Sequence, residues 1–359
     1  MLWSLLLSFS SWVGWVYMNA GRVIYFDILN VVAAFGVVAM HFNGLVHAYM
    51  PTWDWVQALA VDCLFYWAVP VFFMLSGATL MDYRDRYTTK EFLLRRARRT
   101  FVPFLAWSVI ALVWKVGTGQ MPLPQGPMTL ISLIFNTQII DIYWFFIPLF
   151  AVYLALPVLS LLRENKRALW YLAALGVLLN VALPFLCSAA GITWNSSASF
   201  PLLGGYLLYV LLGYLLRDAE LDSSKRRLIY IAGLAGVLVR FVHTALASRA
   251  SGELVQLTWG YTSLPCFLEA MAVFVFARQV KWDRFFRSDR SREALSCVAG
   301  CSFGVYLIHM IVFWFGLVLS EYDGGDYEWR LIGPVVAYVV SLIIVVILKR
   351  IPFVKMLVP

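Results

Sequence analysis

Charge is what this sequence has least of. Only 13% of its 359 residues are Asp, Glu, Lys or Arg, against roughly a quarter in an ordinary soluble domain. With 62% of the residues hydrophobic and a mean hydropathy of +0.79, a water-solvated globular fold is excluded. There are four histidines, and none stands at zinc-ligand spacing from the five cysteines. Those cysteines, Cys63, Cys187, Cys266, Cys297 and Cys301, all lie within or at the edge of apolar runs. They read as small packing residues and carry no information on redox compartment. There is no large soluble domain, no low-complexity tract and no internal repeat. The net charge of +8 could point to nucleic acid, but its distribution assigns it to topology instead.

What the chain has in excess is long apolar stretches. A transmembrane helix needs about 20 of them in a row, and lipid tolerates only helices or closed barrels. The runs here are continuous, without the alternation of a barrel strand, so they predict helices. Eleven apolar segments fall at roughly 2–20, 24–48, 56–81, 101–116, 142–162, 168–189, 200–216, 228–248, 259–277, 294–319 and 331–348. Of the 28 Lys and Arg residues, 24 lie in alternate gaps: at Arg22, between Asp82 and Arg99, at Arg163–Arg167, at Arg217–Arg227, between Arg278 and Arg292, and in the tail after Leu348. Cytoplasmic loops carry such an excess, so these gaps and the C-terminus are expected to be cytoplasmic. Residues 1–22 read as a separate apolar segment, either one more transmembrane helix or an extension from an upstream start codon, because the positive leader of a signal peptide is missing.

Ionisable side chains inside a span are costly and mark function by default. The second segment carries Asp27, Asn30 and His41. Asn30 and His41 are eleven residues apart, three helical turns or about 16 Å along one face, and Asp27 stands one turn before Asn30. A capping Asp27 and a hydrogen-bonded core His41 would explain the same residues. The third segment ends in Ser76-Gly77, which also suits small-residue helix packing. Arg95, Arg96, Arg98 and Arg99 follow, four arginines in five residues, where guanidinium pairs could grip phosphate or simply anchor the chain at anionic head groups. Trp144 opens the fifth segment at the outer face. Arg240 and His243 sit in the eighth, and Glu269 in the ninth. Ser302, Tyr306 and His309 share one face of the tenth. Polar groups at membrane depth on several helices suggest one polar cavity.

The order and spacing of these motifs resemble the bacterial membrane acyltransferase-3 family. Asp27 through His41 is similar to its opening signature. Phe72 to Gly77, followed by Arg95-Arg96-Ala97-Arg98-Arg99 and Pro103, is similar to its second. Tyr143-Trp144-Phe145 and Gly304 to His309 match later motifs. The resemblance covers about residues 23–350 and implies an all-α bundle of ten transmembrane helices in the bacterial inner membrane, with residues 351–359 as a cytoplasmic tail. It implies transfer of an acyl group, most often acetyl, from cytoplasmic acyl-CoA to a glycan hydroxyl, with no metal and no nucleic acid. By position, His41 corresponds to the essential histidine, and Arg96 with Arg99 to the pair associated with the donor. The chain departs at Asn30, where the family often has arginine; asparagine hydrogen-bonds but brings no charge.

On this reading His41 acts as general base, with Asp27 and Asn30 lining its path. Arg95, Arg96, Arg99 and Ser76 would serve the donor. Glu269, Tyr306, His309 and Trp144 would face the acceptor or orient His41. Direct transfer and an acyl-histidine relay both fit these residues. A transporter or flippase of a small polar or glycan substrate is the rival reading, since intramembrane charge and broken helices suit transport. It lacks a repeated half, and the clustered arginines face the coenzyme A side. Cysteines introduced at exposed positions of 82–100, 217–227 and 278–292 should resist an impermeant thiol reagent in intact cells. Labelling from outside at any of the three overturns the orientation.

Overall fold

The computed structural model describes residues 23–359, so the apolar segment at 2–20 lies outside the described residues. The chain is an all-α membrane protein, with no strand among the described residues. Its helices are α1 (Ile24–Phe42), α2 (Trp53–Phe65), α3 (Ala68–Leu80), α4 (Thr89–Arg96), α5 (Val102–Gly117), α6 (Pro127–Phe135), α7 (Phe146–Leu159), α8 (Lys166–Val177), α9 (Leu183–Ala189), α10 (Leu207–Asp218), α11 (Ser223–Ser251), α12 (Leu264–Gln279), α13 (Asp289–Leu319) and α14 (Tyr327–Leu348). Merged across their kinks, eight stretches among the described residues are long and apolar enough to span a bilayer. The segments expected near 200–216 and 259–277 form shorter helices, α10 and α12, of 12 and 16 residues.

Prolines explain where long segments break. Pro70 has no amide hydrogen and crowds the carbonyl four residues back, which belongs to Tyr66. The segment expected to run unbroken from 56 to 81 accordingly divides at Tyr66-Trp67 into α2 and α3. The freed Tyr66 carbonyl lies 3.8 Å from the Cys266 thiol. Before Pro103 the helix widens into a π-turn at Ala97–Phe101, and before Pro184 into another at Leu178–Ala182. The arginine cluster is therefore helical and continuous with the fourth span. A capping box starts that helix: Thr88 accepts from the Glu91 amide and Glu91 from the Thr88 amide. The Thr88 amide and hydroxyl hold the exposed Glu91 carboxyl below its usual range. The short helix α6 was not legible as an apolar segment; none of its nine residues is buried.

The centre of the bundle is α3 against α10. Leu208 through Leu216 are all buried. At the crossing a Cβ on Gly77 would stand 1.8 Å from the Val210 carbonyl oxygen, and one on Gly213 would stand 2.0 Å from that of Met74. The Ser76-Gly77 motif is thus, at Gly77, a backbone-to-backbone contact that only glycine permits. By contrast α11 is peripheral, showing Leu228, Ile231, Leu234 and Leu238 outward, as a lipid-facing helix does.

The two ends of the bundle are tied differently. At the basic end Arg163 pairs with Asp85, Arg217 with Asp82 at 2.8 Å, and Lys166 with Asp218 at 3.0 Å. At the other end Arg330 is fully buried. It donates to the Asp54 carboxylate at 2.5 Å, to the Asp54 carbonyl at 2.9 Å and to the Gln57 side chain. Replacing Gly77 by alanine should destabilise the protein by about 2 kcal/mol or more, as overpacking does. Thermal unfolding of detergent-purified protein would read this as a lower midpoint. Gly44→Ala, which meets nothing within 4 Å, should leave the midpoint in place.

Candidate active site

Between α1, α3, α7 and α13 lies a cavity of about 240 Å³. His41, Met40 and Trp144 line one end of it; Ser76, Thr79 and Arg96 line the end nearer the basic loops. Asn30, Tyr153, Ser302 and Tyr306 contribute further polar atoms to its wall. Apolar walls with a few convergent polar groups are the usual form of a small-molecule site.

At the head of the cavity two histidines from helices distant in sequence meet. His41 Nδ1 is 2.7 Å from His309 Nε2, with the rings nearly parallel at 8°. His309 Nδ1 lies 2.8 Å from the Tyr306 carbonyl and 3.1 Å from that of Val305. Carbonyls only accept, so His309 Nδ1 carries hydrogen. With both rings neutral, His309 Nε2 is then an acceptor and His41 Nδ1 the donor to it. The remaining nitrogen, His41 Nε2, keeps its lone pair. A ring fixed by one nitrogen and basic at the other is the arrangement general-base histidines use. Tyr143 donates to the Leu307 carbonyl at 2.7 Å and Tyr306 to that of Ile142, so α13 is held to the start of the fifth segment just beside the pair.

Of the four clustered arginines, Arg96 alone lines the cavity. Its guanidinium lies 5.8 Å from the Tyr153 ring, and its Nε is buried with no hydrogen-bond partner among the described residues. Arg95 rests over Tyr87 at 4.2 Å on the outer side. Arg98 and Arg99 are exposed in the π-turn. A regular helix would put Arg99 one turn above Arg96; the wider π-turn offsets that alignment. Ser76 lines the cavity while donating to the Phe72 carbonyl at 3.0 Å. Asn30 faces the cavity, whereas Asp27 is buried in the first turn of α1 and does not line it. Among the described residues no cluster of His, Cys, Asp or Glu could hold a metal ion.

Residues 23–350 match the family model of the acyltransferase-3 group, described as an acyltransferase domain. The chain belongs to that family. No curated protein and no solved structure gives a match. As a member, the protein is a membrane acyltransferase; of its two motif histidines, His41 lines the cavity and the fully buried His309 stands behind it.

Three further buried charges of this acyltransferase, Asp62, Arg240 and Glu269, form a second cluster, not part of the first cavity. Arg240 is fully buried on α11 and meets Asp62 of α2 at 2.5 Å. Its guanidinium lies 3.2 Å over the Tyr66 ring and 5.0 Å from that of Trp259. Glu269 of α12 is buried beside this pair rather than on the cavity wall. The sequence pointed to a single polar cavity; the break at Tyr66-Trp67 separates the two groups. Asp62 was the residue missed, although a lone carboxylate within an apolar run was signal enough. His47 is at the far end of the bundle, its ring 5.6 Å from Trp259. Breaking the buried pair leaves a bare charge in the bundle. Asp62→Ala should therefore cost about 3–5 kcal/mol, read as loss of folded protein from the membrane fraction. Pairing it with Arg240→Met should recover most of that loss.

Proposed function

We propose that this acyltransferase is an O-acyltransferase that uses acyl-CoA, with acetyl as the commonest group, and delivers the acyl chain to a glycan hydroxyl. The observation that carries the reading is the His41–His309–carbonyl chain, which leaves His41 Nε2 with a free lone pair in a cavity whose other end is lined by Arg96. The donor's phosphates bind at the basic, cytoplasmic end, where the buried and unpaired Nε of Arg96 awaits an anionic partner. Its pantetheine arm lies along Ser76, Asn30 and Ser302, and its thioester stands at His41.

In the chemical step the acceptor hydroxyl gives its proton to His41 Nε2 as its oxygen bonds to the thioester carbon. The imidazolium so formed is stabilised through Nδ1 by His309. Collapse of the tetrahedral intermediate breaks the carbon–sulfur bond, and the proton passes from His41 to the departing thiolate. Acyl ester and free coenzyme A result. Asn30 supplies hydrogen bonds where relatives often place an arginine, so the positive charge on the cavity wall comes from Arg96.

Single-turnover transfer by purified protein, with no ion gradient and with coenzyme A affinity measured in parallel, tests this. His41→Ala should lose about 10²–10⁴-fold in turnover and keep its affinity for coenzyme A. His309→Ala should also slow turnover. Arg96→Ala should weaken coenzyme A binding by about 10- to 100-fold, with partial recovery in Arg96→Lys and a smaller effect in Arg99→Ala. Near-normal transfer by His41→Ala would return that residue to a packing role.

A further inference from the structure

Trp144 belongs to two cavities. On one side it lines the His41 cavity together with Tyr261. On the other it lines a broad bowl of about 480 Å³, with Phe135, Asn136, Thr137, Pro148 and Tyr206. The indole is held between the two: Tyr261 stacks on it at 5.3 Å and 20°, and Tyr206 lies 6.1 Å away. Tyr261 is backed by Tyr66 at 4.3 Å and Tyr206 by Phe73 at 4.3 Å, so the flanking rings are fixed while Trp144 forms the partition. The bowl lies at the end of the fifth segment opposite Arg163, which is tied to the basic loops. It is therefore remote from the arginines that the donor would meet.

We infer that the bowl is the acceptor subsite, that it takes an uncharged sugar ring, and that Trp144 is the partition the acceptor hydroxyl must pass to reach His41. The inference rests on the acyltransferase reading above. No Asp, Glu, Lys, Arg or His lines the bowl, which selects against a charged acceptor. Two aromatic faces with an amide oxygen and a hydroxyl at the rim suit a pyranose: Asn136 gives its NH2 to Ser132 and keeps its oxygen for a sugar hydroxyl, Thr137 adds its hydroxyl, and the apolar face of the ring stacks. Thr137 holds a left-handed backbone, φ 52°, uncommon for a residue with a Cβ. It turns the chain at the rim from α6 into the loop that leads to Trp144. With the indole in place, water from the bowl is kept from the thioester; a ring seated on the indole brings a hydroxyl to the opening in water's stead.

The test uses detergent-purified full-length protein, acetyl-CoA, and a panel of methyl glycosides: glucoside, galactoside and N-acetylglucosaminide. Hydrolysis without sugar, transfer with sugar, and coenzyme A affinity are each measured. Trp144→Ala should raise the ratio of hydrolysis to transfer and the KM for the best glycoside by about tenfold, leaving coenzyme A affinity intact. Trp144→Phe should restore most of both. Asn136→Ala, at an exposed rim position, should raise the glycoside KM, and it serves should Trp144→Ala fail to fold. An unchanged hydrolysis-to-transfer ratio in Trp144→Ala, or an unchanged KM in Asn136→Ala, overturns the subsite. Wild-type protein that hydrolyses acetyl-CoA yet acylates none of the glycosides overturns the sugar assignment alone. Wild-type protein that neither binds coenzyme A nor hydrolyses acetyl-CoA overturns the acyltransferase chemistry itself.

Discussion

The close approach of Gly77 to Val210 and of Gly213 to Met74 sets the position of everything around the cavity. At that crossing α3 and α10 touch through their backbones, so α3 has no freedom to shift toward α10. Its opposite face carries Phe72, Leu75, Ser76 and Thr79, all on the cavity wall. In lipid, where apolar burial adds little to helix association, such close packing is a principal source of cohesion. A seam of two glycines thereby fixes one wall of a site to which neither contributes a side chain.

The same economy governs the polar groups. Lipid offers no hydrogen bonds, so each buried donor needs a partner from the protein. Arg330 finds several at one end, Arg240 finds Asp62 and the face of Tyr66, and His309 finds two carbonyls of its own helix. Buried side-chain atoms without a partner among the described residues remain in several places, among them two nitrogens of Arg240, Oε2 of Glu269 and, on the cavity wall, Arg96 Nε and Ser302 Oγ.

Much of this was legible beforehand. The apolar runs located the spans, and the periodicity of α13 placed Ser302, Tyr306 and His309 on one face. The polar stripe of α1 brought Asn30 and His41 to the same cavity. Less visible were features set by backbone geometry. The π-turn at Ala97–Phe101 separates Arg96 from Arg99, and no residue-type rule announces it except the proline that follows. Asp62 was legible as a lone carboxylate in an apolar run; its pairing with Arg240, 178 residues further on, was not. Trp144 was expected to face the acceptor or orient His41; its place between two cavities depends on Tyr206 and Tyr261, more than 60 residues further along. The apolar nine-residue α6 was too short to register as a span.

The two histidines of the site are 268 positions apart, and this separation orders the life of the chain. His41 enters the membrane with the first described helix, while its partner arrives only on the penultimate one. Throughout synthesis the nascent chain therefore holds an unoriented imidazole and half a cavity. The pair, and with it the α13 wall of the cavity, comes together only when α13 docks beside α1, after nearly all of the described chain has been made. A chain stalled or cut anywhere earlier lacks the partner that orients His41, so the site is assembled only as the fold is completed.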